Sequence, residues 1–247
     1  MKRISAFIAA CAVMAGALAS CASGGQGSVS SETKPARESK APLDQALIGT
    51  WKGDAAGYRF QDDRKVSLLM DLSSSLHFNS DGSFVLAGET YSKDLVSFDG
   101  SLIKATFIYE PAEGEEVDES LLEPVDVIEL SRKGEPDKST FDGLYDVVGG
   151  EYISMIAQNL AIAPEKLSLE AEIDGENLNI TAVDYCDYEV SDGLLEMFSE
   201  NMQFVDENAT SVKYRYEISG DELKLTYLGE TEEGAADAPV EVLKKAD

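Results

Sequence analysis

The sequence predicts a mainly β protein: an antiparallel up-and-down barrel or meander of about 8–10 strands, with one or two short helices. Three observations carry this expectation. Apolar and polar residues alternate in run after run, the pattern of strands with one face buried and one wet. Asp-Gly and Gly-Asp pairs separate the runs, as tight hairpins require. Helical spacing is confined to two short segments.

The elements follow in order. Gly49-Thr50-Trp51 opens the folded part. Leu76 and Phe78 lead through Asp81-Gly82 to Phe84 and Leu86, a first hairpin. After Asp99-Gly100, residues Ile103, Ala105, Phe107 and Tyr109 form a strand, and Val125 to Leu130 returns antiparallel to it across the acidic loop from Glu110 to Pro124. Leu167, Leu169, Ala171 and Ile173 alternate with Ser168, Glu170 and Glu172. Asp174-Gly175 turns that strand into Leu178, Ile180 and Ala182. Val212, Tyr214, Tyr216 and Ile218 alternate with Lys213, Arg215 and Glu217, and Gly220-Asp221 turns them into Leu223, Leu225 and Tyr227. One expected helix spans Tyr152 to Leu160, with Met155, Ile156 and Leu160 on one side and Pro164 beyond its end. The other starts at an Asp192 N-cap and carries Leu194, Leu195, Phe198 and Met202.

Flanking composition sets the domain limits. Residues 22–42 are rich in Gly, Ser, Lys, Glu and Pro and poor in large apolar residues, so they read as a disordered tether. The antiparallel β domain is expected over 43–229, as one domain or two small ones. Residues 230–247 read as an acidic tail, in which Val240 to Leu243 adds a short strand or helix. Gly49-Thr50-Trp51 and Gly143-Leu144-Tyr145 each precede an Asp-Gly hairpin by a similar interval. The repetition fits an internal duplication of about 47–132 and 142–228, and equally a meander of regular strand lengths.

The N-terminus carries an address. Met1-Lys2-Arg3 precedes an apolar run from Ile4 to Leu18, shorter than the roughly 20 residues of a membrane-spanning helix. Residues 1–20 therefore read as a signal peptide. Its end, Leu18-Ala19-Ser20-Cys21, resembles the lipobox of bacterial lipoproteins. The resemblance implies cleavage before Cys21, diacylglyceryl attachment to its sulfur and N-acylation of the new terminus. It places the chain in the bacterial cell envelope, exported and held on the cell membrane or outer membrane by lipid.

Charge and composition narrow the function. The formal charge is -27, and a surface of that sign repels nucleic acid and anionic headgroups. Membrane attachment is thus expected through acyl chains, each buried methylene contributing about 0.8 kcal/mol. After processing, Cys186 is the one remaining thiol, so no intramolecular disulfide is expected, and its acidic neighbours disfavour a thiolate. His77 is the single histidine and sits between Leu76 and Phe78 on a strand, where it reads as a solvated or hydrogen-bonded side chain. One histidine cannot supply a zinc site. Asn79, Asp81 and Gly82 match part of a calcium loop, but His77 and Gly88 stand where its first and last ligands belong, so the segment reads as a hairpin turn. Carboxylates are plentiful, yet no pair is singled out for acid–base work. No enzyme activity, metal or cofactor is expected.

Gly49-Thr50-Trp51, the run Leu76 to Phe84 and the ending Tyr216 to Leu225 together resemble the lipocalin-like domains of bacterial lipoproteins. In that family the Gly-x-Trp lies on the first strand and its tryptophan plugs one barrel end. The resemblance implies a lipocalin-like barrel holding a small apolar ligand. Trp51, Tyr145, Tyr214 and Tyr216 are then the candidate barrel-end or pocket residues, with core filling as their other reading. The alternative function is a structural or protein-interaction component of the cell envelope without a ligand pocket.

Overall fold

Alternation in the chain becomes strand pairing almost throughout. The computed structural model describes residues 42–53, 56–109, 111, 122–160, 162–198, 211–228 and 239–246. Cys21, the 22–41 part of the tether and most of the acidic loop after Tyr109 lie outside the described residues.

The strands are β1 (Gly49–Lys52), β2 (Ala56–Phe60), β3 (Lys65–Asp71), β4 (Leu76–Phe78), β5 (Phe84–Leu86), β6 (Glu89–Tyr91), β7 (Val96–Phe98), β8 (Leu102–Phe107) and β9 (Val125–Arg132). They continue as β10 (Gly143–Gly149), β11 (Leu169–Asp174), β12 (Asn177–Ser191), β13 (Leu194–Phe198), β14 (Ser211–Ser219), β15 (Glu222–Tyr227) and β16 (Val240–Ala246). One helix, α1 (Glu151–Asn159), lies between β10 and β11.

Eight strands form a closed antiparallel barrel in the order β13-β14-β15-β16-β1-β2-β3-β12, with β12 pairing back onto β13. The mainly β class and the barrel are as the sequence predicts. The remaining long sheet leaves the barrel at β12 and runs β12-β11-β10-β9-β8-β7. A separate three-stranded sheet, β4-β5-β6, packs against β12.

β12 makes this fork possible. Residues Asn177–Ala182 pair with β11 on one side, and Asn179–Ala182 pair with β3 on the other. Residues Asp187–Ser191 pair with β13. Between them the register against β3 shifts, a β-bulge centred on Asp184 at φ 49. The Asp184 N–H donates to Ser67 Oγ (3.3 Å), and Gln61 Nε2 donates to Asp184 Oδ1 (2.9 Å), which pins the bulge.

One apolar core runs through both parts, from Trp51, Phe60 and Leu243 in the barrel to Ile103, Ile128 and Tyr145 in the open lobe. Helix α1 starts at Gly150, whose φ is +101 and where a Cβ would meet Ile128 Cα and Val127 O at 2.5 Å. The backbone therefore needs glycine to lie directly on β9. Ile156 and Leu160 are buried, as their helical spacing predicts, with Met155 partly buried against the core, and Tyr152 is buried as well.

Two expectations change. The segment after Asp192 is not a helix: Leu194–Phe198 is strand β13. Asp192 and Gly193 both have positive φ (50 and 78), the geometry of a two-residue hairpin turn, and Leu195 and Met197 point into the core at strand period. Met202 lies outside the described residues. The domain also does not stop at 229. Val240–Ala246 is the strand that pairs with both β15 and β1, and Leu243 is fully buried. Closing the barrel requires a strand between β15 and β1, and Val240–Ala246 supplies it.

Candidate functional site

The two ends of the closed barrel differ in chemistry. At one end Trp51 is fully buried. Its Nε1 donates to the Leu47 carbonyl (2.7 Å), and Leu47 is itself buried. Lys245, opposite Trp51 in the β1–β16 register, carries its ammonium 5.1 Å from the indole centroid. Tyr216 donates to Asp44 Oδ2 (2.8 Å), and burial together with Asp44 pushes its hydroxyl pKa up to about 12. Tyr188 donates to the Gln61 carbonyl (2.8 Å) and meets Phe60 edge-on at 5.3 Å. The indole and both tyrosine tips are hydrogen-bonded, and Leu47 and Trp51 fill this end, fully buried.

At the other end, polar groups converge on the inner face. Glu241 pairs with buried Leu225 across β15–β16 and shares the inward face with Leu243. Its Oε2 accepts from the Tyr58 hydroxyl at 3.4 Å. Tyr214 and Tyr227, paired across β14–β15, meet edge to face at 5.9 Å. The β12 bulge places Tyr185 beside this group, half-buried, with the buried Cys186 next to it. Burial drives the Tyr185 hydroxyl and the Cys186 thiol strongly upward, so both stay protonated at neutral pH. Tyr58 is raised well above its usual value by burial first and then by Tyr214 and Glu241. Burial also raises the Glu241 carboxyl, while the Tyr58 hydrogen bond acts in the opposite direction. These shifts place Tyr58, Tyr185, Tyr214, Cys186 and Glu241 in one electrostatic neighbourhood.

The candidate residues from the sequence therefore separate. Trp51 and Tyr216 belong to the plugged end, and Tyr214 to the polar end. Tyr145 lies in the open lobe, fully buried, with the Arg132 guanidinium 4.9 Å over its ring and its hydroxyl bonded to the Phe141 carbonyl. Its burial raises its pKa. His77 is half-buried on β4, its Nδ1 2.7 Å from the Ser73 carbonyl. Asp81 Oδ1 accepts from the Ser83 N–H (2.9 Å) and Oγ (2.6 Å), so the Asn79–Gly82 segment is a hairpin turn as expected. Those two hydrogen bonds hold the Asp81 carboxyl below its ordinary range.

Clefts outside the barrel are open, with mixed polar and apolar walls. One of about 480 Å³ lies at the turns of the open lobe, between Asp81, Phe98, Phe141 and Gly175. Another, of about 450 Å³, lies along Tyr91, Leu95 and Phe107. None of the clefts among the described residues includes Trp51.

Two residues of the polar end escaped sequence reasoning. Glu241 lies in a segment whose acidic composition reads as a tail, yet its spacing from Leu243 is that of one strand face. Tyr185 faces inward through the bulge, which strict alternation with Cys186 would forbid. No family model, curated protein or solved structure matches this chain.

Proposed function

We propose that the protein is an exported lipoprotein, anchored by lipid on Cys21, whose closed barrel binds a small apolar ligand at the end opposite Trp51. The carrying observation is the asymmetry of the barrel ends. One is filled by buried Leu47 and Trp51, the indole N–H bonded to the Leu47 carbonyl and the ring covered by Lys245. The other presents aromatic rings and a carboxylate on its inner face. Ligand sites combine apolar walls with a few convergent polar groups in this way. No helix of the described residues is long and apolar enough to cross a membrane, and the lipid on Cys21 supplies the attachment in this reading.

Two experiments test it. Native mass spectrometry of protein from its own host should show a co-purified small molecule; repeated absence of any adduct would sink the binding reading. Fatty-acid labelling should mark the wild type, and equal label on Cys21→Ala would sink the anchor. The second reading, a protein-interaction component of the envelope, is favoured by exposed Leu102, Leu144 and Val148 on the open lobe. It becomes the better one if the barrel proves empty and tightly packed.

A further inference from the structure

The polar end of the barrel has a composition that an apolar ligand alone does not explain. A carboxylate on an inward face loses hydration, and such burial is costly unless its acceptor sites are filled. Glu241 is held there by barrel register, opposite Leu225 and on the face of Leu243. Among the described residues its side-chain partner is the Tyr58 hydroxyl, at a long 3.4 Å. An ionised carboxylate offers about four acceptor positions, so most remain available. Among the described residues no ion pair includes Glu241. Lys245 is the next cation on the same strand face, but four residues at about 3.3 Å each put it roughly 13 Å away, over Trp51.

Beside Glu241 stand Leu225 across the strand pair and the Tyr58 hydroxyl, and further tyrosines gather around Tyr58. Tyr58 from β2, Tyr185 from the β12 bulge, and Tyr214 and Tyr227 from β14 and β15 come from different sides of the barrel. Aromatic faces carry negative potential and attract cations, above all when desolvated. Rings grouped around a carboxylate suit a cation with an apolar body. They suit an anion badly, because Glu241 and the acidic chain would repel it.

Resting on the ligand-binding reading above, we infer that the barrel selects organic cations, an amine or ammonium head on an apolar body, with Glu241 accepting from the head and Tyr58, Tyr185, Tyr214 and Tyr227 surrounding it. The plugged end sets the orientation: the cationic head stays at the polar end and the apolar body points into the barrel, toward buried Trp51 and Leu47.

The test uses the full chain in phosphatidylcholine vesicles and three matched probes: hexylammonium, hexanol and hexanoate. Binding is read by isothermal titration calorimetry, with heats of protein-free vesicles subtracted. Hexylammonium should bind about tenfold or more tighter than hexanol, and hexanoate weakest. Glu241→Gln should bring hexylammonium down to the hexanol value. Glu217→Gln, on an exposed position of β14, should leave the preference intact. Circular dichroism verifies that each variant is folded, and Tyr58→Phe, which keeps the ring and removes the hydroxyl, should retain most of the preference. Equal affinity for hexylammonium and hexanol in the wild type overturns cation selection while leaving the ligand-binding reading standing. A preference that survives Glu241→Gln overturns the assigned site, and places the cation on the acidic surface. Uptake of none of the probes, together with an adduct-free native mass spectrum, overturns both readings.

Discussion

The closed barrel and the open lobe are built around the same local arrangement and close it differently. In the barrel, Trp51 on β1 donates to the carbonyl four residues upstream and lies under Lys245 of the neighbouring β16. In the lobe, Tyr145 on β10 donates to the carbonyl four residues upstream and lies under Arg132 of the neighbouring β9. Neighbour order matches as well: β16-β1-β2-β3 in one part, β9-β10-β11-β12 in the other. Beyond that the parts diverge. The barrel strands return on themselves through β12 and β13. The lobe ends at the short β7, and Phe78 and Tyr91 of the small sheet supply its aromatic cover, against Phe141 and Phe107. An aromatic plug beneath a strand-borne cation thus serves both a sealed barrel and an unsealed sheet, and it is closure that creates an interior with two distinct ends.

The largest expected effect tests the equivalence of the plugs. Trp51→Ala and Tyr145→Ala should each destabilise by about 3–5 kcal/mol, because each empties a fully buried aromatic site. Thermal unfolding would measure both, and a Tyr145→Ala cost below a third of the other would break the equivalence. Next come the cations. Arg132 donates to the Asp142 carbonyl (2.8 Å) and the Thr140 carbonyl (2.7 Å) besides covering Tyr145. Lys245 is exposed and only covers Trp51. Arg132→Ala should therefore cost about 2–3 kcal/mol and Lys245→Ala about 0.5–1 kcal/mol in chemical denaturation. Equal costs would mean that the loop anchored by Arg132 contributes nothing.

A smaller effect, of opposite sign, concerns the polar end. Burial raises the folded Glu241 carboxyl above its unfolded value, so the folded state holds a proton that the unfolded chain has released. Stability then falls as pH rises through that interval, and the full cost is present above the folded value. Glu241→Gln should raise stability by about 1 kcal/mol at pH 7, with the gain disappearing as pH falls below the unfolded carboxyl value near 4. Melting curves at both pH values measure it, and a loss of stability at pH 7 would show that the carboxylate is a structural partner of Tyr58. The smallest effect is chemical. Cys186 is buried, with its thiol pKa raised, so a thiol reagent should leave the folded protein untouched and label it on denaturation. Rapid labelling of the native chain would show that the barrel wall at β12 opens.

Much of this was legible in the order of residues. Asp81-Gly82, Asp99-Gly100, Asp174-Gly175 and Gly220-Asp221 each join two paired strands, as glycine turn chemistry requires. The same signal at Asp192-Gly193 was outweighed by Leu194, Leu195 and Phe198, whose spacing also fits one turn of helix. A short apolar segment supports either period until its partners are known. Of the four aromatic candidates, Trp51 and Tyr216 reached the plugged end and Tyr214 the polar end. Nothing local distinguished those ends, and nothing local marked Glu241 as inward.

By itself the sequence determined the mainly β class, the positions of the hairpins and the inward face of most strands, because these depend on residues within a few positions of each other. Tertiary structure alone decided the closure of β16 against β1, the fork of β12 at the Asp184 bulge and the hydrogen bond of Tyr58 to Glu241. Those contacts join residues far apart in the chain. They form only when the whole sheet has twisted and curled back on itself, a property of all the strands together and of no single segment.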